Sequence, residues 1–417
     1  MMTLPAVQRA CELVEMLEAG DVLDGIIDIL NYVPEAKTLP LEVDKINALL
    51  GTEIPEADMI RYLQLLELPV VDGQIQVPSW RPDLNLMADI AEEVGRSYGY
   101  NEIPTTAFKN ATQGGYSPFM MAESKAGQLC RSLGYSEIIT YSFVSPAIFD
   151  QIRLPKDSTL RNAMRIQNPL GEDTSIMRTI ALPSMLDILS RNYNYHNKNV
   201  KLYELAKIYL PGEGNELPAE PKMLVLGTYG EGTSFFTLKG QLEAILTGLR
   251  LPRAEYTAVK DNPSYHPGRC AAVSINGELL GYMGQVHPLV CKNYGLDTEV
   301  YCVEIDFSKA FTMILPEPTF TPLPKYPAVT RDLSLLCDEA TTIAELENCI
   351  TAAGGKLLRR VDLFDIYRGK GVAEGKKSVA FSLVLRADDR TLTDADSEGV
   401  TSKVLAALET KLGAVLR

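Results

Sequence analysis

Five prolines, Pro316, Pro318, Pro322, Pro324 and Pro327, stand close together and forbid a helix interior or a central strand across that stretch. Each proline sets its own φ and removes a backbone donor, so the segment reads as an extended linker. The chain must therefore organise separately on its two sides. At 417 residues it is also too long for one hydrophobic core.

Downstream of the linker the pattern is orderly. Asp332-Leu333-Ser334-Leu335 alternates as a strand does, TTIAELENCITAAGG has helical spacing and ends in glycines, and VDLFDIY reads as a second strand. Val379, Phe381, Leu383 and Leu385 alternate along a third strand. Val400, Val404, Leu405, Leu408 and Leu412 mark a second helix before a final strand, AVLR. Strand-helix-strand-strand-helix-strand is the ferredoxin-like order.

Upstream, residues 115–310 mix a helix around Met121, Ala126, Leu129 and Leu133 with strand-like runs such as IITYSFV, VKLYELAKIYL and MLVLGTYG. A helix LKGQLEAILTGL and a hairpin about Asn276-Gly277 follow, which predicts an antiparallel sheet flanked by helices. Residues 38–106 form a smaller unit that ends in a helix on Met87, Ile90, Ala91, Val94 and Tyr98, closed by Gly99 and Pro104. Residues 1–37, with a helix from Val7 to Leu17 and the apolar GIIDILNYV, read as the tail of a preceding domain. The fold class expected is α+β, in several domains.

The net charge of −14 opposes a polyanionic partner. Residues 320–417, however, carry 14 Lys+Arg and 14 Asp+Glu, so the whole excess lies upstream and a basic face remains open to the last domain. Seven scattered cysteines without a C-x-x-C pair fit the reduced thiols of a cytoplasmic protein. Three distant histidines argue against a zinc site. No apolar run reaches the length of a membrane helix.

The chemistry on offer is sparse. Asp89, Glu92 and Glu93 share one arc of their helix, with Asp83 just upstream and the apolar residues opposite. Spacing leaves two readings. An oxygen-only set suits a hard cation such as magnesium, and acids at a helix start also simply favour the dipole and face water. No phosphate-cradling G-x-x-x-x-G-K-[ST] loop occurs, and Gly227, Gly230 and Gly232 of GTYGEG read as a turn. YHPGRC, with His266 and Arg269, reads as a turn before a strand rather than an anion site. No nucleophile–base arrangement stands out, so no catalytic residue is assigned. In the last domain Arg331, Lys356, Arg359, Arg360, Arg368, Lys370, Lys376, Lys377 and Arg390 are available for phosphates and Tyr367 for base stacking.

Several strings together resemble one family. VPSWRPDLNLMADIAEEVGRSYGYNEIP resembles the winged-helix-like domain of phenylalanyl-tRNA synthetase beta chains. GYSEIITYSF, NPLGEDTSIMRT, LPSMLDILSRN, KLYELAKIY, FFTLKGQLEAIL and YHPGRCA resemble that chain's class II synthetase-like module. YPAVTRDLSL, DLFDIYRGKGVAEGKKSVAFSL and RTLTDAD resemble its ferredoxin-fold anticodon-binding domain.

The resemblance implies a division into 1–37 (the end of an editing domain), 38–106 (winged-helix-like), 107–315 (non-catalytic synthetase-like) and 316–417 (anticodon-binding). It implies a subunit of phenylalanine–tRNA ligase, a heterotetramer of two alpha and two beta chains that charges phenylalanine-specific tRNA with ATP as substrate, catalysis lying on alpha. It further implies that Asp83, Asp89, Glu92 and Glu93 bind one Mg2+ shared with the alpha subunit. The family's oligonucleotide-binding and editing domains have no counterpart here, so editing is not expected of this chain. Two other readings are a free-standing tRNA-binding or regulatory protein and a magnesium-dependent hydrolase.

Overall fold

The computed structural model describes residues 2–29, 31, 35–107, 112–212, 214 and 217–417. They fall into two compact units, Met1–Gly115 and Tyr116–Arg417.

In the first unit, α1 (Thr3–Met16) has no buried residue, and Ile26, Ile27 and Ile29 of the apolar stretch after it are exposed. Leu30, Tyr32 and Val33 of that stretch lie outside the described residues. The organised part runs through β1 (Lys37–Pro40), α2 (Val43–Leu50), α3 (Glu56–Leu65), β2 (Val70–Val71), β3 (Gln74–Val77) and α4 (Met87–Tyr98). The strands form an antiparallel sheet in the order β1-β3-β2. Ile46, Met59, Leu63, Ile75, Ile90 and Val94 meet in its core, each 0% exposed, and each such burial contributes about 1.5–3 kcal/mol. α4 lies close on α2, because a Cβ on Gly95 would stand only 3.0 Å from Leu50 Cδ2.

The second unit opens with α5 (Pro118–Ser132), capped by the Ser117 hydroxyl, which accepts from Met120 N. There follow β4 (Ser136–Glu137), β5 (Phe143–Val144), α6 (Ile148–Gln151), β6 (Ile176–Met177), α7 (Leu182–Asn194), β7 (Val200–Lys207), β8 (Lys222–Tyr229), α8 (Phe235–Gly248) and β9 (Glu255–Ala258). Next come β10 (Tyr265–Ile275), β11 (Glu278–Val286), α9 (Pro288–Asn293), β12 (Val300–Asp306) and α10 (Phe307–Phe311). Among the described residues the large sheet has seven strands in the order β4-β7-β8-β12-β11-β10-β9, antiparallel except for β4 on β7.

Helices cover both faces of this sheet, so its central strands are buried on both sides and largely apolar, with Glu204, Thr228 and Glu304 as buried exceptions. Leu224 and Leu226 of β8 join Tyr301, Val303 and Ile305 of β12 in the core beneath α5 and α8. Met223, Val225 and Tyr229 join Val300 and Cys302 in the core beneath α7. Asn276 (φ 52°) and Gly277 (φ 78°) make the tight turn between β10 and β11, as their dipeptide predicts.

Three expectations need correction. IITYSFV is ladder-paired only at β5, because the chain leaves the large sheet after β4 and joins a separate ladder with β6; Ile139 and Tyr141 between them are exposed. Gly227 is not in a turn. It lies inside β8 because α7 packs against the strand there, and only Gly230 and Gly232 turn the chain. YHPGRC lies within β10, across a register break between Tyr265 and Cys270, rather than ahead of the strand.

A polar network crosses this apolar interior. Arg178, 2% exposed, donates from Nε to the Lys207 carbonyl (2.8 Å), from Nη1 to Thr140 Oγ1 (2.6 Å) and from Nη2 to Glu204 Oε1 (3.2 Å). Glu304 on β12 accepts from the backbone N–H groups of Ala181 (2.8 Å) and Leu182 (3.1 Å), fastening the start of α7 to the sheet. Burial pushes the Glu304 carboxyl up to about 7, against those hydrogen bonds and Arg178.

Between α10 and β13 (Val329–Asp338) the chain enters no helix or ladder, and Phe320 and Leu323 are exposed, as the prolines require. Beyond it lie α11 (Ile343–Gly354), β14 (Leu358–Tyr367), β15 (Lys376–Leu385), α12 (Asp394–Leu412) and β16 (Val415–Leu416). The order β14-β15-β13-β16, with α11 and α12 on one face, is the ferredoxin-like arrangement expected. Both helices begin with reciprocal capping boxes, Thr342 with Glu345 and Thr393 with Asp396.

A Cβ on Gly227 would lie 2.6 Å from Met185 Sδ and 2.9 Å from Leu189 Cδ1. Gly227→Ala should therefore destabilise the protein by about 1–3 kcal/mol in denaturant unfolding. Gly240→Ala, in the open interior of α8, should instead stabilise it by about 0.5–1 kcal/mol.

Candidate functional site

The carboxylate group is built at the entrance to α4. Arg81 N bonds back to the Pro78 carbonyl (3.0 Å), Leu84 is buried, and Asn85 Nδ2 donates to the carbonyls of Pro82 (3.0 Å) and Asp83 (2.9 Å), which folds the entry into a tight loop. Leu86 stands at the N-cap without a side-chain acceptor. Asp89 supplies one instead, its Oδ2 accepting from Asn85 N (2.6 Å) and Leu86 N (2.7 Å), and these bonds hold its carboxyl below the usual range.

Arg81 dominates the rest. Its guanidinium chelates Asp83 (Nε–Oδ1 3.0 Å, Nη2–Oδ2 2.7 Å), and the same Nη2 reaches Glu93 Oε1 at 2.7 Å. The other oxygen of Glu93 accepts from Arg96 Nε at 3.0 Å. Glu93 is 5% exposed, so the outer arc expected to hold Asp89, Glu92 and Glu93 is corrected: Glu93 lies on the buried shoulder of α4 beside Ile90, while Glu92 faces solvent. Burial pushes the Glu93 carboxyl up, but the two arginines outweigh it and the carboxyl lies below its ordinary value. Arg81 holds Asp83 low as well.

The structure therefore joins Asp83 to Glu93 through a guanidinium, turns Asp89 back onto the helix end and leaves Glu92 apart. Among the described residues no three Asp, Glu, His or Cys side chains gather where they could hold a metal ion. The all-oxygen donor set suits magnesium, but its arrangement does not, since an arginine fills the place of the cation. Sequence reasoning missed Arg81 and Arg96, although an arginine two residues before Asp83 and another three after Glu93 were visible signals.

In the last domain six of the candidate cations are ion-paired. Arg331 meets Asp394 (3.1 Å), Arg359 Asp388 (2.6 Å), Arg360 Asp362 (2.6 Å), Arg368 Glu339 (2.8 Å), Lys376 Asp338 (2.6 Å) and Arg390 Asp396 (2.8 Å). Lys377 is corrected as a phosphate candidate: it is buried and donates to the Glu339 carbonyl at 3.0 Å. Tyr367 lies under the Arg417 guanidinium, 5.3 Å from its ring centre, and the neighbouring Phe364 is 59% exposed, an aromatic the sequence reading did not single out. Exposed ion pairs contribute only about 0–1 kcal/mol each, so a phosphate can displace these carboxylates at little cost. Arg269 of YHPGRC is engaged with Gln285 (2.7 Å) and Glu299 (2.9 Å), which agrees with a structural role.

Because the Asp83, Asp89 and Glu93 carboxyls are lowered in the folded chain, their contribution is complete above the unfolded values of about 3.9–4.3 and is lost as pH falls through the lowered ones. Glu93→Gln should weaken folding by about 1–3 kcal/mol at neutral pH and reduce the further loss in acid, read from thermal unfolding as a function of pH.

Comparison with known proteins agrees with this organisation. The tRNA synthetase B5 domain family matches residues 39–100, the phenylalanyl tRNA synthetase beta chain CLM domain family residues 103–307, and the ferredoxin-fold anticodon binding domain family residues 324–417. The phenylalanine–tRNA ligase beta subunit of Clostridium tetani is 42% identical over 99% of this chain and 53% of its own length. Those of Clostridium acetobutylicum and Moorella thermoacetica are 41% and 39% identical with the same coverage. The chain spans about half the length of the curated relatives it matches. With these three domain-family matches in order and this identity along nearly its whole length, the chain belongs to the phenylalanyl-tRNA synthetase beta-chain family.

Proposed function

We propose that this chain is the part of a phenylalanine–tRNA ligase that supports a catalytic alpha subunit and binds the tRNA anticodon during ATP-dependent charging with phenylalanine. The observation that carries the reading is 42% identity over 99% of the chain with a protein of that name, ending in an anticodon-binding match over 324–417. The working enzyme is a heterotetramer of two alpha and two beta chains in the cytoplasm, a compartment that the unpaired cysteines suit. ATP is a substrate of the whole enzyme and this chain contributes no catalytic residue. The four parts are 1–37, 38–106, 107–315 and 316–417; the matches at 39–100 and 324–417 lie inside the second and the fourth, and the match at 103–307 begins four residues ahead of the third.

In the last domain Arg331, Arg359, Arg360, Arg368, Lys376 and Arg390 exchange their carboxylate partners for tRNA phosphates, and Tyr367 exchanges the Arg417 guanidinium over its ring for a base. Asp83, Asp89, Glu92 and Glu93 are the ligands of one Mg2+ shared with the alpha subunit. Their oxygen-only chemistry supports this, and their arrangement requires Arg81 to give way.

Mixing the purified chain with the alpha chain of the same genome should give a complex that co-elutes on gel filtration; two separate peaks would count against the reading. That complex should bind phenylalanine-specific tRNA with an affinity that falls as salt rises, and Arg360→Ala should lower the slope of log affinity against log salt by about one. An unchanged slope would remove Arg360 from the tRNA face.

A further inference from the structure

We infer that Arg153, His266 and His287 form a binding site for a phosphate oxyanion, held by one guanidinium and two neutral imidazole N–H groups. The site belongs to the second unit and shares no residue with the carboxylate group of α4 or with the cations of the last domain.

Two of the three histidines are each followed by proline, His266-Pro267 and His287-Pro288. A proline offers no N–H, so each ring takes the next donor along the chain. His266 Nδ1 accepts from Gly268 N (3.0 Å), and His287 Nδ1 accepts from Leu289 N (3.1 Å). An Nδ1 that accepts is unprotonated, which leaves the proton of the neutral ring on Nε2. Both rings are partly exposed, and neither Nε2 bonds to a protein group among the described residues.

The hairpin of β10 and β11 brings the two rings together. Tyr265 pairs with Val286, and His266 and His287 each follow one of these buried partners, on the side opposite to them. Such diagonal positions lie within reach of long side chains. The loop after α6 delivers Arg153 to the same place. Ser264 Oγ donates to the Ile152 carbonyl (2.7 Å), Asn293 Nδ2 to the Gln151 carbonyl (2.7 Å) and Arg153 Nη1 to the Pro263 carbonyl (3.4 Å). Burial lowers the pKa of His287, and the charges of Arg153 and His266 press it the same way, so the ring donates as a neutral group.

What these three groups lack is an acceptor. Arg153 is exposed and pairs with no carboxylate among the described residues, in a chain with 54 acids against 40 Lys and Arg. Glu299 faces His266, but its oxygens are taken by Arg269 Nη1 (2.9 Å) and the Tyr301 hydroxyl (2.7 Å). Fixed N–H donors beside an unpaired guanidinium suit a phosphate, whose several oxygens can accept from all three, and the planar fork of arginine matches its geometry.

The test is titration of the full chain with inorganic phosphate at neutral pH, in chloride at fixed ionic strength, followed by the ring-nitrogen NMR signals of its histidines. His266 and His287 should shift on one saturable curve while His196 stays fixed. Arg153→Gln should weaken phosphate binding at least about tenfold, through loss of a charge-assisted bond. Arg153→Gly should do the same and relaxes a backbone held at φ 61°, so it serves if Arg153→Gln does not fold. Arg61→Gln, which makes the same charge change on α3 where Arg61 pairs with Asp58, should match wild type. A shift at neither ring or at one alone, unchanged affinity in the Arg153 variants, or equal weakening by Arg61→Gln overturns the site. Methyl phosphate titrated in parallel identifies the source. Binding equal to that of inorganic phosphate supports a site for a phosphate ester, and no binding supports a site for the free ion.

Discussion

A carboxylate taken out of water must be met by a cation or by N–H groups, and each unit of this protein is assembled around that requirement. In the second unit Glu304 takes the N–H groups of Ala181 and Leu182, so α7 can start only where β12 presents that side chain. Glu204 is met by Arg178, whose remaining nitrogens satisfy the Lys207 carbonyl and Thr140. In the first unit Glu93 lies between Arg81 and Arg96, which draws the entry loop down onto α4. Apolar burial supplies most of the stabilisation in both units, while these polar contacts determine where helices and loops attach to it.

The same requirement shapes the surface of the last domain. Acids and bases are equal in number there, and six of the cations are each held by a neighbouring carboxylate. A face of loosely held pairs suits a partner that brings its own negative charge, since phosphates replace carboxylates with little change in the number of ionic contacts. The acidic excess lies elsewhere in the chain and does not oppose such a partner locally.

Much of the fold was legible because it is local. The proline linker, the Asn276-Gly277 turn and the strand-helix order after Val329 all follow from backbone restrictions or from short-range patterning. Less legible were features that depend on neighbours distant in sequence. Gly227 looked like part of a turn because the helix that crosses it at Met185 lies some forty residues upstream. IITYSFV looked like one strand because its apolar alternation is real, while the switch between two sheets depends on which partners lie alongside.

The candidate site divides in the same way. Residue type and spacing were enough to single out Asp83, Asp89, Glu92 and Glu93 and to place three of them on one helix, because helical periodicity is intrinsic to the backbone. Which carboxylate became a helix cap, which was buried and which was bridged by Arg81 was decided only by tertiary structure. Those outcomes depend on desolvation and on the reach of a guanidinium between segments, quantities that exist only once α4 has packed against its core.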